Sequence, residues 1–554
     1  MNEIEITCVN TGTIHACNAG TTLYEIYSLI RPALKTQVMA AIVNNELKEL
    51  GYQVYNPKIV EFIDLSHPDG MRTYIRSLTF LLQVAVKEIL PGRKLSVQHS
   101  VSKGLYCEIA NSKPLEISDI NRIETCMHEL VKKDLPFSKT KIATSEAITM
   151  FRSAGYDEKA LLLETKEKFH TSVYWLNGFA DHFYGPLVYS TGYLKTFGLT
   201  AYYQGVLLML PKPDNADKLQ EFVIQNKMLQ IFQEHKEWNE ILGAKSIGNI
   251  NREIQNGRVA SLIQVNEALH EKKYASIADM IVERGNQIVL ISGPSSSGKT
   301  TSAKRIAVQL QVAKKRPHTI ELDNYFVNRE QTPKDENGNY DFESLYAIDI
   351  DLFNSQLTDL LEGKEVRLPR FDFIAGKRSF TDKTMRIDEN DILIIEGIHG
   401  LNPALIHSIP HSKLFRIYAS ALTSVSVDEN NRIPTTDNRL IRRIVRDAAT
   451  RGYSAADTIS RWQSVRNGED RNIFPYQENA DVMFNSSLLY ELSILRKYAE
   501  PLLRKIPPSK PERVEALRLL KFISYFEQID TADEKTIPPT SILREFIGKS
   551  SFNY

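Results

Sequence analysis

One octapeptide, Gly293-Pro294-Ser295-Ser296-Ser297-Gly298-Lys299-Thr300, holds residue types that can grip a polyphosphate. It has the form G-x-x-x-x-G-K-[ST], in which glycines let backbone N–H groups wrap an anion without Cβ clashes. Lys299 can reach β- and γ-phosphates, and the Thr300 hydroxyl can ligate Mg²⁺. Ser295, Ser296, Ser297 and Thr301 fall on the same cradle. A plain glycine-serine connector would look similar in isolation, so the flanking elements decide.

Those flanks are a strand and a helix. Ile288 to Ile291 is a continuous apolar run, and Ala303, Ile306, Ala307 and Leu310 recur at i, i+3, i+4 and i+7, one face of a helix. Strand, glycine-rich loop and helix N-terminus together make an anion site, because the positive end of the helix dipole joins the loop N–H groups. A second strand, His318 to Leu322, delivers Asp323-Asn324-Tyr325-Phe326 at its carboxyl end. Asp323 there can accept a hydroxyl proton or hold a Mg²⁺-bound water. A third, Asp391 to Ile395, delivers Glu396, placed for a Walker B-type Mg²⁺ contact. Either acid alone could be a helix cap or a loop charge; two acids, each ending a buried strand, fit a metal-nucleotide site better. Farther on, Arg439, Arg443 and Arg446 stand at i, i+4 and i+7 of a helical pattern, followed by Arg451-Gly452-Tyr453. Alone they suit a solvated basic face; behind a phosphate loop they suit a lid that neutralises a transferring phosphoryl group.

Length and composition limit what surrounds this machinery. With 554 residues the chain should form three or four domains. Hydrophobic residues make up 42% and charged residues 25%, as in ordinary globular proteins. Lys+Arg and Asp+Glu are equal at 68 each, so the net charge indicates no global attraction to nucleic acid or membrane and leaves only local patches open. Cys8, Cys17, Cys107 and Cys126 are scattered and form no C-x-x-C, which fits a reducing cytosol. No signal-peptide pattern opens the chain and no apolar run approaches a membrane span, so a soluble cytoplasmic protein is expected.

Residues 1–65 read as a small α+β unit. The string "NAGTTLYEIY … AAIVNNELKELGYQV … VEFIDLSHPDG" resembles a TGS domain, the ubiquitin-like module at the front of threonyl-tRNA synthetases. Residues 66–205 resemble the editing-type second additional domain of the same synthetases, on "RSLTFLLQVAVKEILPGRKLSVQHSVSKGLYCEI" and "DHFYGPLVYSTGYLKTFGLTAYYQG". That family builds a zinc pocket from H-x-x-x-H and C-x-x-x-H; here Arg76, Phe80, Phe183 and Leu187 occupy the four positions. Phenyl and isobutyl groups cannot coordinate zinc, so neither zinc nor deacylation is expected. Residues 206–285 read mostly as helix, with an amphipathic run from Lys218 to Glu240 and further segments near 250–271 and 275–284. They would be a packing bridge.

Residues 286–505 resemble the uridine kinase and phosphoribulokinase family, on "GPSSSGKTT … ELDNYF … YDFES … PRFDFIAGKR … LIIEGIHGL … RLIRRIVRDAATRG" in that order. The resemblance implies an α/β P-loop kinase with a parallel sheet, using ATP or GTP with Mg²⁺ to phosphorylate the 5′-hydroxyl of a nucleoside. It makes Asp323 the catalytic acid, and Thr300, Asp323 and Glu396 the Mg²⁺ positions. Asp341 then matches a ribose-binding residue, Tyr325 and Phe371 lie on the acceptor side, and Arg443, Arg446 and Arg451 match arginines that close over substrate. The family's base-recognition tyrosine and histidine are Phe371, in Phe371-Asp372-Phe373, and Gly376, and Tyr453 replaces a lid arginine. Uridine or cytidine is the leading acceptor, with another nucleoside, a sugar or a sugar phosphate as alternatives. A nucleotide-sensing tRNA- or RNA-binding regulator is the rival from another class. The tail, 506–554, contains a helix through Val514–Phe526 and would cap a domain or make an oligomer contact.

Overall fold

The computed structural model describes residues 3–553 except 111–114, 167, 335–337, 339 and 373–374. The kinase-like sheet has five strands, all parallel, in the spatial order Arg316–Glu321, Asp391–Glu396, Ile288–Ser292, Leu414–Ser420, Val482–Asn485. The strand that leads into the phosphate loop is therefore central, and the strand order reverses beside it, where open α/β sheets bind ligands. Its side chains alternate between two cores. Val289 and Ile291 belong to one that takes in helices Val259–Glu283 and Lys299–Val312. Ile288 and Leu290 belong to one that takes in helix Ile350–Leu361. A strand buried on both faces must read as an unbroken apolar run, and Ile288–Ile291 does.

The first module is a five-stranded sheet, Thr13–Asn18, Glu3–Cys8, Lys58–Asp64, Val38–Val43, Glu46–Lys48, with helix Leu23–Ile30 against it. Thr22 caps that helix through a reciprocal pair with Glu25. The second module places the long helix Pro68–Ile89 against a four-stranded sheet containing Lys94–Val101 and Gly104–Ala110.

The stretch expected to be a helical bridge is different. Gly198–Tyr202 and Gly205–Met209 form one hairpin, so the sheet of the second module runs across position 205. Asn215–Leu219 pairs with Pro211–Lys212, and the helix starts only at Asn226. Leu219 lies against Gly198, and that contact, with the Pro211 and Pro213 turn, overrides the helical spacing. Phe222 and Val223 are left exposed rather than on a buried helix face. The segments near 250–271 and 275–284 resolve into Ile247–Gln255 and a single helix Val259–Glu283. That helix is built into the kinase core: Tyr274 hydrogen-bonds Ser302 at 3.0 Å, and Tyr490 donates to Glu267 at 2.7 Å. The tail also joins this core, with Ile542, Leu543 and Phe546 buried in it. No helix of the described residues is long and apolar enough to cross a membrane.

Candidate active site

The phosphate loop is fixed by close approach as much as by turn geometry. A Cβ on Gly293 would meet the Ala419 carbonyl oxygen at 1.9 Å, so no larger residue fits between the central strand and its neighbour. Ser296 and Gly298 both take positive φ, which folds successive N–H groups toward one point. The Ser296 and Ser297 hydroxyls are buried with no hydrogen-bond partner among the described residues. Lys299 opens helix Lys299–Val312 and rests its ammonium on the Pro294 carbonyl at 3.2 Å.

The two acids come to the same edge of the sheet. Strands Arg316–Glu321 and Asp391–Glu396 are neighbours in register, with Glu321 opposite Glu396, and Asp323 follows two residues later. Glu396 accepts the Thr300 hydroxyl at 2.8 Å. Burial pushes the Glu396 carboxyl up to about 7; Lys299 pulls it back and Asp323 adds to the rise. Asp323 faces the open cleft yet is ringed by protein, and desolvation raises its pKa against the pull of Lys299. Among the described residues no three histidine, cysteine or carboxylate side chains gather as a metal cage. One hydroxyl and two carboxylates are nonetheless a fitting donor set for Mg²⁺, which binds proteins through one or two carboxylates and completes its shell with phosphate and water. Thr300, Glu396 and Asp323 would hold it.

The arginine helix, Thr435–Arg446, divides its cations into two groups. Arg439 and Arg442 are fully buried and structural: Arg439 pairs with Glu469 and donates to the Ser295 carbonyl, and Arg442 pairs with Glu491. Arg443 reaches the phosphate loop, donating to the Ser295 hydroxyl at 2.9 Å. Arg446 and Arg451 are held instead on the buried Asp447 carboxylate, at 3.2 and 3.6 Å, which Arg443 also meets at 3.3 Å. Three guanidiniums thus converge beside the loop on one acid. The expected one-sided array of Arg439, Arg443 and Arg446 is corrected to a structural Arg439 and a converging Arg443, Arg446 and Arg451.

On the acceptor side the expectations divide. Asp341 stays within reach of solvent and meets Arg471 at 3.4 Å. Tyr325 is a core residue, 1% exposed, its hydroxyl donating to Gln356 at 2.8 Å and its ring set edge-on to Phe353. Phe371 is 6% exposed and packs edge-on against Phe326, so the ring offered for base stacking is drawn into the core. Both rings gain from burial, and Tyr325 still lines the small pocket beside Thr300 and Glu396. Phe373 lies outside the described residues. Gly376 has φ +68° and the Arg329 guanidinium lies across it, 2.7 Å from where a Cβ would stand. The missing side chain is the space that Arg329 occupies.

Three participants escaped sequence reasoning. Glu469, from helix Ala455–Asn472, accepts the Ser295 N–H at 2.9 Å, a loop donor otherwise free for phosphate. Glu343 lies near Asp323 and Glu469, and burial first, then Glu469, pushes its carboxyl up to about 7. Glu545 in the tail accepts the Thr301 hydroxyl at 2.5 Å, and Ile542 covers Gly298. Glu343 adjoins the Tyr340-Asp341-Phe342 motif and could have been suspected; Glu469 and Glu545 carry no local signal.

Residues 288–489 match the family described as "Phosphoribulokinase / Uridine kinase family". The P-loop kinase fold of this portion agrees with that match. The N-terminal region resembles threonine–tRNA ligases: that of Geobacter sp. (strain M21) is 28% identical over 209 residues, 37% of this chain and 33% of that protein. That of Francisella tularensis subsp. tularensis (strain FSC 198) is 28% identical over 198 residues, 35% of this chain and 31% of that protein. The chain thus spans about a third of the length of the curated relatives it matches. Among solved structures, a possible uridine kinase from Bacillus stearothermophilus is 19% identical, covering 38% of this chain and 97% of that one with a TM-score of 0.25. A D-glycerate 3-kinase from Cryptococcus neoformans is 13% identical, covering 46% and 87%, with a TM-score of 0.21.

Proposed function

We propose that the chain is a Mg²⁺-dependent small-molecule kinase that transfers the γ-phosphoryl group of ATP, or GTP, to the 5′-hydroxyl of a nucleoside, with uridine or cytidine first. The observation that supports it most is the pairing of neighbouring strands whose ends set Asp323 and Glu396 beside Lys299 and Thr300. Asp323 accepts the proton of the attacking hydroxyl; its raised pKa suits a base that must both take and release a proton. The new bond joins the acceptor oxygen to the γ-phosphorus as the bond to the β–γ bridging oxygen breaks, leaving the nucleoside diphosphate. Lys299 and Arg443 draw off charge that builds on the transferring and leaving oxygens. When bound, Mg²⁺ neutralises the β- and γ-oxygens. Asp341 offers an acceptor for ribose hydroxyls.

The measurement is ADP release with MgATP across nucleosides, sugars and sugar phosphates, beside Lys299→Ala and Asp323→Asn. Turnover on uridine or cytidine that both substitutions abolish is expected. Turnover untouched by either would overturn the site, and no turnover on any acceptor would overturn the kinase reading. Gly376 favours a second reading, a sugar phosphate acceptor, because it offers no side-chain donor or acceptor to a base. Faster turnover on a sugar phosphate than on any nucleoside is its signature. The synthetase-like N-terminal region supports a further reading, RNA binding, which predicts tRNA affinity that falls steeply with salt.

A further inference from the structure

Between the second module and the segment that leads into the arginine helix lies a cavity of about 200 Å³. Phe183 and Val97 line one side; Arg432 and Thr436 line the other. Four guanidiniums border it, and two are already neutralised. Arg72 pairs with Asp69 at 2.7 Å and Glu515 at 3.0 Å, and Arg518 pairs with Asp437 and Glu515 at 2.6 Å each. Those three carboxylates are thereby engaged.

Arg76 and Arg432 have no carboxylate within salt-bridge distance among the described residues. Arg76 is positioned by neutral acceptors alone, its Nε on the Pro186 carbonyl at 3.1 Å and its Nη2 on the Thr73 hydroxyl at 3.3 Å. Its guanidinium lies flat over Gly185, where a Cβ would come within 2.4 Å of Cζ. Tyr184 lines the cavity within electrostatic reach of both Arg76 and Arg432, its hydroxyl without a protein partner among the described residues. Desolvation lowers the pKa of both arginines, against a partial pull from Tyr184 and Asp69 on Arg76 and from Tyr184 and Asp437 on Arg432. Two half-buried guanidiniums with no carboxylate in direct contact beside a cavity gain when an anion enters.

We propose that this cavity binds a small organic oxyanion, a carboxylate or phosphate monoester on a short apolar body, between Arg76 and Arg432. Guanidiniums bind either group through paired N–H donors. Tyr184 supplies a hydroxyl to the same oxygens, and Phe183 and Val97 cover the apolar body. The site is separate from the phosphate loop but shares an element with it: Thr436 lines the cavity, and Arg443 on the same helix reaches Ser295.

Calorimetric titration of the full chain with inorganic phosphate and with butanoate, at low ionic strength, tests this without relying on kinase activity. Phosphate can also occupy the phosphate loop, so each titration is repeated on Lys299→Ala. At least one probe should bind wild type and Lys299→Ala alike. Arg432→Met should weaken that binding about tenfold or more, from the loss of one charged donor pair. It should also unfold, without anion, at the same or a higher temperature, because a charge with no carboxylate in direct contact is gone. Butanoate alone identifies a carboxylate; phosphate binding that survives Lys299→Ala identifies a phosphate ester. Should Arg432→Met not fold, Tyr184→Phe serves, with severalfold weaker binding expected. Absence of binding by both probes to Lys299→Ala, or binding unchanged by Arg432→Met and Tyr184→Phe, overturns the proposal.

Discussion

The kinase cleft and the second module each bring together the positions that family resemblance singles out, with opposite chemical results. In the cleft, Lys299, Thr300, Asp323 and Glu396 converge and remain polar, and burial forces both acids upward in pKa, with Glu321 adding to the rise at Asp323 and Asp323 to that at Glu396. In the second module, Phe80 and Phe183 pack in the core as a tilted pair with ring centres 5.5 Å apart and Leu187 is 1% exposed, while Arg76 borders a cavity. Where metal-binding side chains would stand, three have become core. A fold persists when polar site residues are exchanged for apolar ones of suitable volume, because core packing holds the frame and the site's chemistry does not. The cleft cannot make that exchange and still bind phosphate.

The largest expected effect tests the second module as a core. Phe80→Ala should destabilise the protein by about 3–5 kcal/mol, from lost burial plus a cavity, read as a fall in the denaturation midpoint. A change under 1 kcal/mol would mean that these positions are not core. In the cleft the corresponding change costs rate. Lys299→Ala should lower turnover at least about a hundredfold, roughly 3 kcal/mol of transition-state stabilisation, with unfolding temperature nearly unchanged. Smaller in size, Glu545→Gln removes a carboxylate beside Thr301 and should tighten nucleotide binding severalfold, about 1 kcal/mol, in a fluorescence titration. Weaker binding in that variant would make the tail a supporting contact instead.

The cleft also predicts a pH dependence. The Glu396 carboxyl sits at about 7 in the fold against 4.5 when free, so its neutral form is the one the folded state favours. Its contribution is complete below about pH 4.5 and is lost as pH rises through about 7. The unfolding temperature without nucleotide should therefore decline across that window, and Glu396→Gln should flatten part of the decline. An equal slope in both proteins would remove Glu396 as a strained acid.

Much of the frame was legible because its signals are local. The run Ile288–Ile291, the spacing of Ala303 to Leu310 and the Thr22 cap each encode an element within a few residues. The strand Asn215–Leu219 was not legible, since its partner and its contact with Gly198 lie outside any helical window. Tyr325 and Phe371 sit next to motif residues, but nothing in a motif states which side chains turn inward.

By itself the sequence determined the phosphate loop, the two acids at strand ends, the cationic helix and the loss of metal-binding side chains in the second module. These follow from residue type and short-range spacing. Only the tertiary structure decided that Arg439 and Arg442 are structural, that Arg329 fills the space over Gly376, that Glu469 and Glu545 meet the phosphate loop, and that Arg76 and Arg432 share a cavity. Each of these joins segments far apart in the chain, and whether a buried charge finds a partner is settled by packing, to which no local pattern has access.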